Sequence, residues 1–416
     1  MVGTWGGGNG AVVVRPVGAS APAVDDTGVR IVALPAGATV VGFAADASGE
    51  LLGVRTGPFD KGHVEVWKLQ GTAHSVAERL DYEGVVGERM TRVDGVDWLI
   101  GLAPEAYDVR SATPQPPPAP QAVFVDLRSG AKSTVAVRSR SRLFVVSPSP
   151  AKVITLREET TRAPLSPTEL AKVRAAQAEA AKGGGFLDFA PDKVIERRAY
   201  LDIAPETSSP LLFRAADART IWPGPIDWSA KAILAVFWTE HEHKALQHAY
   251  TVDWTGTVLR SAVTPHPKLR FEGSLALGSA GEWIMATRNG TLEQELVVQR
   301  TGPEGESLPR LVGPSLSIYG DQVATFCNNT FWVVGIQANE DRQHHTLSLW
   351  AVPMDASGAA AMDGGVAMPA AARTVRYEVP AKTPRGAETR AVCDGTTLTV
   401  AIPYADRVVM ARFPLP

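Results

Sequence analysis

The chain has 416 residues, 45% of them hydrophobic, and a formal net charge of −3. That is ample material for a large core, and the near-neutral balance lacks the basic stripe that nucleic-acid binding uses. No apolar run approaches the roughly 18 residues that cross a bilayer as a helix, and the two cysteines, Cys327 and Cys393, fit neither a zinc ribbon nor a CxxC redox pair.

Residues 1–28 open Gly-rich and read as a flexible segment, with one extra strand conceivable at 11–17. The apolar stretch Ala11-Val-Val-Val is too short for the core of a signal peptide. Such a start suits a tether left after a secretion signal has been removed, which would place the protein outside the cytoplasm or in a periplasm. An ordinary disordered cytoplasmic terminus would look the same, and the secreted or periplasmic reading is the one preferred. The high Ala, Gly, Arg and Pro usage points to a GC-rich bacterial genome.

From residue 29 onward, short apolar runs alternate with turn residues, the pattern of many short strands. These runs repeat. The second strand of each unit reads Glu50-Leu-Leu-Gly-Val, Asp97-Trp-Leu-Ile-Gly-Leu, Lys152-Val-Ile-Thr-Leu, Ala232-Ile-Leu-Ala-Val-Phe, Glu282-Trp-Ile-Met-Ala-Thr, Phe331-Trp-Val-Val-Gly-Ile and Thr397-Leu-Thr-Val-Ala-Ile. Tight-turn residues precede each run, for example Asp46-Ala-Ser-Gly, Asn328-Asn and Asp394-Gly, because Gly and Asn accept positive φ and Asp caps locally. The third strand recurs as Val64-Glu-Val-Trp-Lys-Leu, Ala122-Val-Phe-Val-Asp-Leu, Arg198-Ala-Tyr-Leu-Asp-Ile and Ala249-Tyr-Thr-Val-Asp-Trp. A repeat of four antiparallel strands every ~50 residues is the signature of propeller blades.

The reading is therefore an all-β propeller of seven four-stranded blades, at about 39–80, 87–138, 142–214, 220–264, 271–313, 315–379 and 388–413, with six or eight blades as the alternative if the long units divide differently. The last unit supplies only three strands. Residues 29–34, just before the first inner strand, are expected to supply the fourth and close the ring, which removes an exposed edge. With these strands, and with the Asp126-Leu-Arg-Ser-Gly strand ending, the chain resembles the WD40, YVTN and PQQ-type repeat proteins. That resemblance implies a propeller and leaves activity open.

Connections between strands two and three, and between blades, open on one face and carry the long insertions. Unit two carries Pro116-Pro-Pro-Ala-Pro, a stiff extended stretch. Unit three carries a helix at about 166–182. Ser166 is its N-cap, Pro167 its first position, Glu169 completes a capping box, and Gly183 to Gly185 end it. Leu170, Val173, Gln177 and Ala180 share one side, which either packs on the propeller or docks a partner.

Unit four carries Glu240-His-Glu-His with His248 beyond, and unit six carries Asp341, His344 and His345. His241, His243 and His248 could hold a divalent metal, the chemistry imidazole suits; otherwise these residues, like His344 and His345, lie in exposed polar loops. Arg89, Arg142, Arg219, Arg270 and Arg390 recur at the start of inner strands, where guanidinium groups around a channel mouth would bind carboxylate or phosphate; otherwise each pairs with a nearby acid. Cys327 and Cys393 end inner strands in neighbouring units. Neighbouring blades diverge from the axis, so free thiols are expected. Trp67, Trp98, Trp283 and Trp332 fit the blade-to-blade core by their repeated positions; Trp222, Trp228, Trp238 and Trp254 crowd unit four, where core packing is expected, although one or more could reach the surface.

No nucleophile elbow, phosphate loop or zinc-protease helix occurs. The function expected is a non-catalytic binding scaffold, most simply a monomer, engaging a protein partner or an anionic ligand through the elaborated face. The alternative is a propeller enzyme with a metal or quinone in the channel or the His-rich loops. No cofactor is predicted beyond that metal.

Overall fold

The structure is a computed structural model. It describes residues 29–416 apart from short connecting segments, the longest of them 103–120, 183–191, 266–272 and 379–388. The proposed N-terminal tether and the polyproline stretch lie outside the described residues.

Seven antiparallel blades follow in chain order. Blade 1 holds β2 (Thr39–Asp46), β3 (Gly49–Thr56), β4 (Lys61–Gln70) and β5 (Ala73–Glu83). Blade 2 holds β6 (Val86–Val93), β7 (Val96–Leu102), β8 (Gln121–Asp126) and β9 (Lys132–Ala136). In blade 3, β10 (Leu143–Pro148) and β11 (Ala151–Pro164) are followed by helix α1 (Pro167–Lys182), β12 (Asp192–Ala204) and β13 (Leu211–Ala215). Blade 4 is β14 (Thr220–Trp228), β15 (Ala232–His241), β16 (Lys244–Asp253) and β17 (Val258–Pro265). Blade 5 is β18 (Gly273–Leu277), β19 (Trp283–Asn289), β20 (Glu293–Thr301) and β21 (Ser307–Ser317). Blade 6 is β22 (Asp321–Cys327), β23 (Thr330–Ala338), β24 (His344–Val352) and β27 (Arg373–Glu378), with the small hairpin β25 (Ala361–Met362) and β26 (Gly365–Ala367) inserted before its last strand. Blade 7 is β28 (Arg390–Cys393), β29 (Thr397–Pro403) and β30 (Arg407–Pro414), completed by β1 (Val29–Ala33).

Closure follows the expected route: β1 runs antiparallel to β30 from Val29 opposite Ala411 to Ala33 opposite Arg407. Arg30 of β1 also reaches Glu50 of blade 1 at 2.6 Å, and Arg412 of β30 lies 3.3 Å from the same carboxylate. The closing strand thus ties blade 7 to blade 1 as well as completing its own sheet.

The second strands explain why the apolar runs are continuous. A blade is covered on both faces, so both sets of alternating side chains must be apolar. In β15, Ile233, Ala235 and Phe237 pack toward blade 3, while Leu234, Val236 and Trp238 pack toward blade 5. In β23, Phe331 and Val333 join the core with blade 5, while Trp332, Val334 and Ile336 join the core with blade 7. The described residues form seven buried clusters, one at each seam between blades. Each fully buried large side chain contributes roughly 1.5–3 kcal/mol. Trp67, Trp283 and Trp332 are buried as their repeated positions implied, and Trp98 is half-buried at the seam with blade 3. In unit four Trp238 is fully buried, whereas Trp222 is exposed.

Two expectations are corrected. Cys327 and Cys393 form a disulfide, with Cα atoms 6.0 Å apart. Blades do diverge outward, but both cysteines sit on innermost strands, β22 and β28, where neighbouring blades are still close enough to bridge. The other correction concerns His344 and His345. They begin β24 instead of lying in an exposed loop, and His345 is buried. The Tyr404 hydroxyl lies 2.7 Å from His345 Nδ1 and 2.9 Å from the Tyr377 hydroxyl, a buried polar chain across the seam between blades 6 and 7.

Inner strands are linked around the axis by side chains that bond a neighbour's backbone. The Leu277 N–H donates to Asp227 Oδ2 (2.7 Å), the Ala324 N–H to Ser274 Oγ (2.8 Å), and the Thr389 N–H to Asp321 Oδ2 (3.4 Å). Buried backbone donors on an inner strand have no sheet partner on their axial side, and these groups satisfy them. Where β2 meets β6, Gly42 stands opposite Met90, and a Cβ at Gly42 would lie 2.2 Å from that of Met90. Only glycine allows that approach.

Candidate functional site

Two places stand out, one on each face of the ring. On the face that carries the long insertions, β11 and β12 run on together well past their neighbours. β10 pairs only as far as Thr155, and β13 only as far as Arg197, yet the β11–β12 ladder continues to Pro164 opposite Asp192. The result is a two-stranded arm tipped by α1.

Opposite charges on neighbouring positions hold the arm. Arg157 forks onto Asp202 (2.7 and 3.3 Å), its guanidinium lies over the Tyr200 ring at 4.3 Å, and it pairs with Glu159. Further out, Arg197 pairs with Glu158, Arg214 and Arg198 share Glu196, and Arg162 meets Asp192 at 3.0 Å. The Arg214 guanidinium first, with Arg198 behind it, holds the Glu196 carboxyl below its ordinary value. A bare hairpin is marginal in water, and cross-strand pairs of opposite charge support it while discouraging edge-to-edge association.

The helix start forms as its sequence implied. The Glu169 N–H donates to Ser166 Oγ (3.3 Å), and Glu169 Oε2 accepts from the Ser166 N–H (2.8 Å) and hydroxyl (2.6 Å). Lys193 of β12 reaches Glu169 Oε1 at 2.7 Å and fastens the helix to the arm. Lys193, then Ser166, lowers the Glu169 carboxyl to about 2. Leu170, Val173, Gln177 and Ala180 are half-buried along one side, and no residue of α1 is buried.

The other singled-out residues are placed less compactly. His248 is buried in the seam between blades 3 and 4, stacked on Phe237 and meeting Phe213 edge-on, with Nε2 2.9 Å from Thr239 Oγ1. His241 stands in the ladder opposite Lys244, four positions along β15 from the Phe237–His248 pair, or about 13 Å at strand spacing. His243 lies outside the described residues. Among the described residues no three His, Cys, Asp or Glu side chains gather as metal ligands. Arg142, Arg219 and Arg270 also lie outside the described residues. Arg89 stands in β6 opposite Ile100, and Arg390 opens β28 opposite Ala401, half-buried.

On the opposite face, where strands one and two are joined by short hairpins, the ends of β14, β18 and β22 enclose a cleft of about 400 Å³. Asp227, Trp228 and Ser229 line it from blade 4, Leu275, Leu277 and Ser279 from blade 5, and Ala324, Thr325 and Phe326 from blade 6. Burial pushes the Asp227 carboxyl up to about 6, against the backbone N–H groups of Leu277 and Trp228 that favour its charge. The Cys327–Cys393 bridge follows directly after Phe326. Sequence reasoning missed this cleft because Asp227-Trp-Ser reads as turn chemistry. The available signal was a carboxylate ending an otherwise apolar inner strand.

No family model and no curated relative matches the chain. Solved structures that are similar include a protein of unknown function from Dyadobacter fermentans DSM 18053, at 10% identity and a TM-score of 0.40, covering 78% of this chain and 93% of that one. A subtype N10 neuraminidase-like protein of A/little yellow-shouldered bat/Guatemala/060/2010 is 7% identical with a TM-score of 0.43, covering 80% and 95%. The WD40 domain of SCAP from fission yeast is 8% identical with a TM-score of 0.37, covering 90% and 82%. At these identities the likeness concerns fold and says nothing of activity.

Proposed function

We propose that the protein is a non-catalytic binding scaffold that engages a protein partner through the helix-tipped arm of blade 3. One observation carries this reading. The chain builds a long, ion-paired arm and ends it in a well-capped helix that buries none of its residues. A helix that only filled the protein's own core would bury its apolar side. Here Leu170, Val173 and Ala180 form a modest apolar strip carried on an ion-paired hairpin that projects from the propeller, the usual placing of a binding element. The disulfide suits an oxidising compartment, in keeping with a protein that acts outside the cytoplasm.

The test is site-specific cross-linking in the native host, with a photoreactive residue at Val173 and, as control, at Lys231 on the opposite face. A discrete protein adduct from Val173 and none from Lys231 is expected. Replacing residues 161–196 by Asn-Gly, a two-residue hairpin turn, should abolish binding of that adduct's protein by the intact propeller. Retention of the partner by the shortened protein would overturn the reading.

A further inference from the structure

The cleft between blades 4, 5 and 6 is chemically unlike the arm, and its lining is specific. We propose that it binds an organic cation, an ammonium or guanidinium group on an apolar stem, with the charge against the Asp227 carboxylate.

Three features of the lining lead there. First, Asp227 is the single ionisable side chain among the described residues that line the cleft, so no lysine, arginine or histidine of the lining neutralises it. Its Oδ2 accepts the Leu277 N–H at 2.7 Å, which orients the carboxylate without cancelling its charge. A recessed carboxylate held by backbone N–H groups attracts a cation more strongly than one in open water, since the surrounding dielectric is lower.

Second, the walls suit an organic stem and not a hydrated metal ion. Phe326 lies in the lining at the seam with blade 5, and Leu275, Leu277 and Ala324 present buried aliphatic surface. Aromatic faces attract cations and shed little energy on contact with a hydrocarbon stem. A calcium or magnesium site would need several oxygen ligands, and the described lining offers one carboxylate. Third, the volume lies within the range of small-molecule sites, and the hydroxyls of Ser279 and Thr325 at the lining can accept remaining N–H groups of the ligand.

The same chemistry is carried by a free amine and by a lysine or arginine side chain on a peptide. Calorimetric titration of the full chain with benzylamine and with a capped Gly-Lys-Gly peptide separates these sources. Tighter binding of the peptide identifies a protein side chain as the occupant, and tighter binding of benzylamine identifies a free amine. Benzyl alcohol and the norleucine peptide serve as uncharged counterparts, and each should bind at least about tenfold more weakly than its cationic mate. Asp227→Asn keeps an oxygen to accept the Leu277 N–H while removing the charge, and should weaken the cation by at least about tenfold. Thr325→Lys places a competing ammonium in the cleft and should abolish binding, with thermal unfolding used to show that each variant is folded. The inference is overturned if neither cation binds, if the uncharged counterparts bind as well, or if folded Asp227→Asn retains the wild-type affinity. None of these outcomes bears on the arm, which can be tested separately.

Discussion

The arm of blade 3 and the seam between blades 6 and 7 are built from the same unit, an antiparallel hairpin of second and third strands, and are put to opposite uses. At the seam, β23, β24, β29 and β30 are covered on both faces. Trp332, Leu349, Val400 and Phe413 are buried, and a disulfide and a His345–Tyr404–Tyr377 chain join the blades. In the arm, β11 and β12 leave the sheet, and side chains from Glu159 to Arg162 are exposed and held by ion pairs. Exposed ion pairs contribute little to global stability, whereas buried apolar area contributes most of it. The seam therefore carries the fold, and the arm is free to be shaped by what it meets.

The most severe way to test that division is to remove β1. A chain beginning at residue 35 leaves the β30 edge unpaired, exposes the side packed by Val32, and loses the Arg30–Glu50 link. Cooperative thermal unfolding should be lost, and aggregation should follow from the open edge. An unchanged melting curve would show that closure does not hold the ring. Next in size is Cys393→Ser. The bridge spans 66 positions of sequence, for which loop-closure entropy gives about 4 kcal/mol, and about 2–4 kcal/mol is expected because β1 also restrains the ring. Urea unfolding measures it. Replacing residues 161–196 by a turn should change the same unfolding free energy by less than about 0.5 kcal/mol. Equal effects at both places would erase the contrast. Tyr404→Phe comes third. It withdraws the central hydroxyl from a buried chain and should cost about 1–3 kcal/mol, read by the same unfolding curves.

Much of this architecture is legible in the amino-acid sequence, for reasons that differ by residue. Strands such as Ile233–Phe237 announce themselves because a blade covered on both faces demands unbroken apolar runs, and Asn328-Asn and Asp394-Gly mark their hairpins. At Asn328 and Asn329, φ is +50° and +56°, the conformation these residues accept. The helix start is readable because Ser166 and Glu169 satisfy each other locally. What stays hidden depends on distance in the fold. The approach of Cys327 to Cys393 follows from how near the axis inner strands end, a quantity no local pattern encodes. His345 reads as a polar loop until Tyr404, from the next blade, is placed against it. Asp227 becomes a site only when Leu277 and Phe326 are brought around it from two further blades.

Two further effects separate the cleft from the arm by their response to acid. Asp227 titrates near 6 when folded and near its ordinary value of 3.8 when unfolded. Below pH 3.8 both states are protonated and the term is at its most favourable. As pH rises through 3.8 toward 6 the unfolded chain ionises first, so stability falls. Discounted for its partial exposure, the loss is about 1–2 kcal/mol. It should vanish from the pH dependence of unfolding in Asp227→Asn. Glu169 behaves in the opposite sense. Its folded carboxyl titrates at about 2, below its ordinary 4.5, so its support of α1 is present above pH 4.5 and fades as pH falls toward 2. Ser166→Ala removes the hydroxyl of the capping box and should loosen the first turn by about 1 kcal/mol. Hydrogen exchange over residues 167–172 would report that loosening, while the global unfolding midpoint stays in place. A shift of the global midpoint would mean that α1 is coupled to the propeller core, and the arm would then have to be counted as part of the structure that the seams hold together.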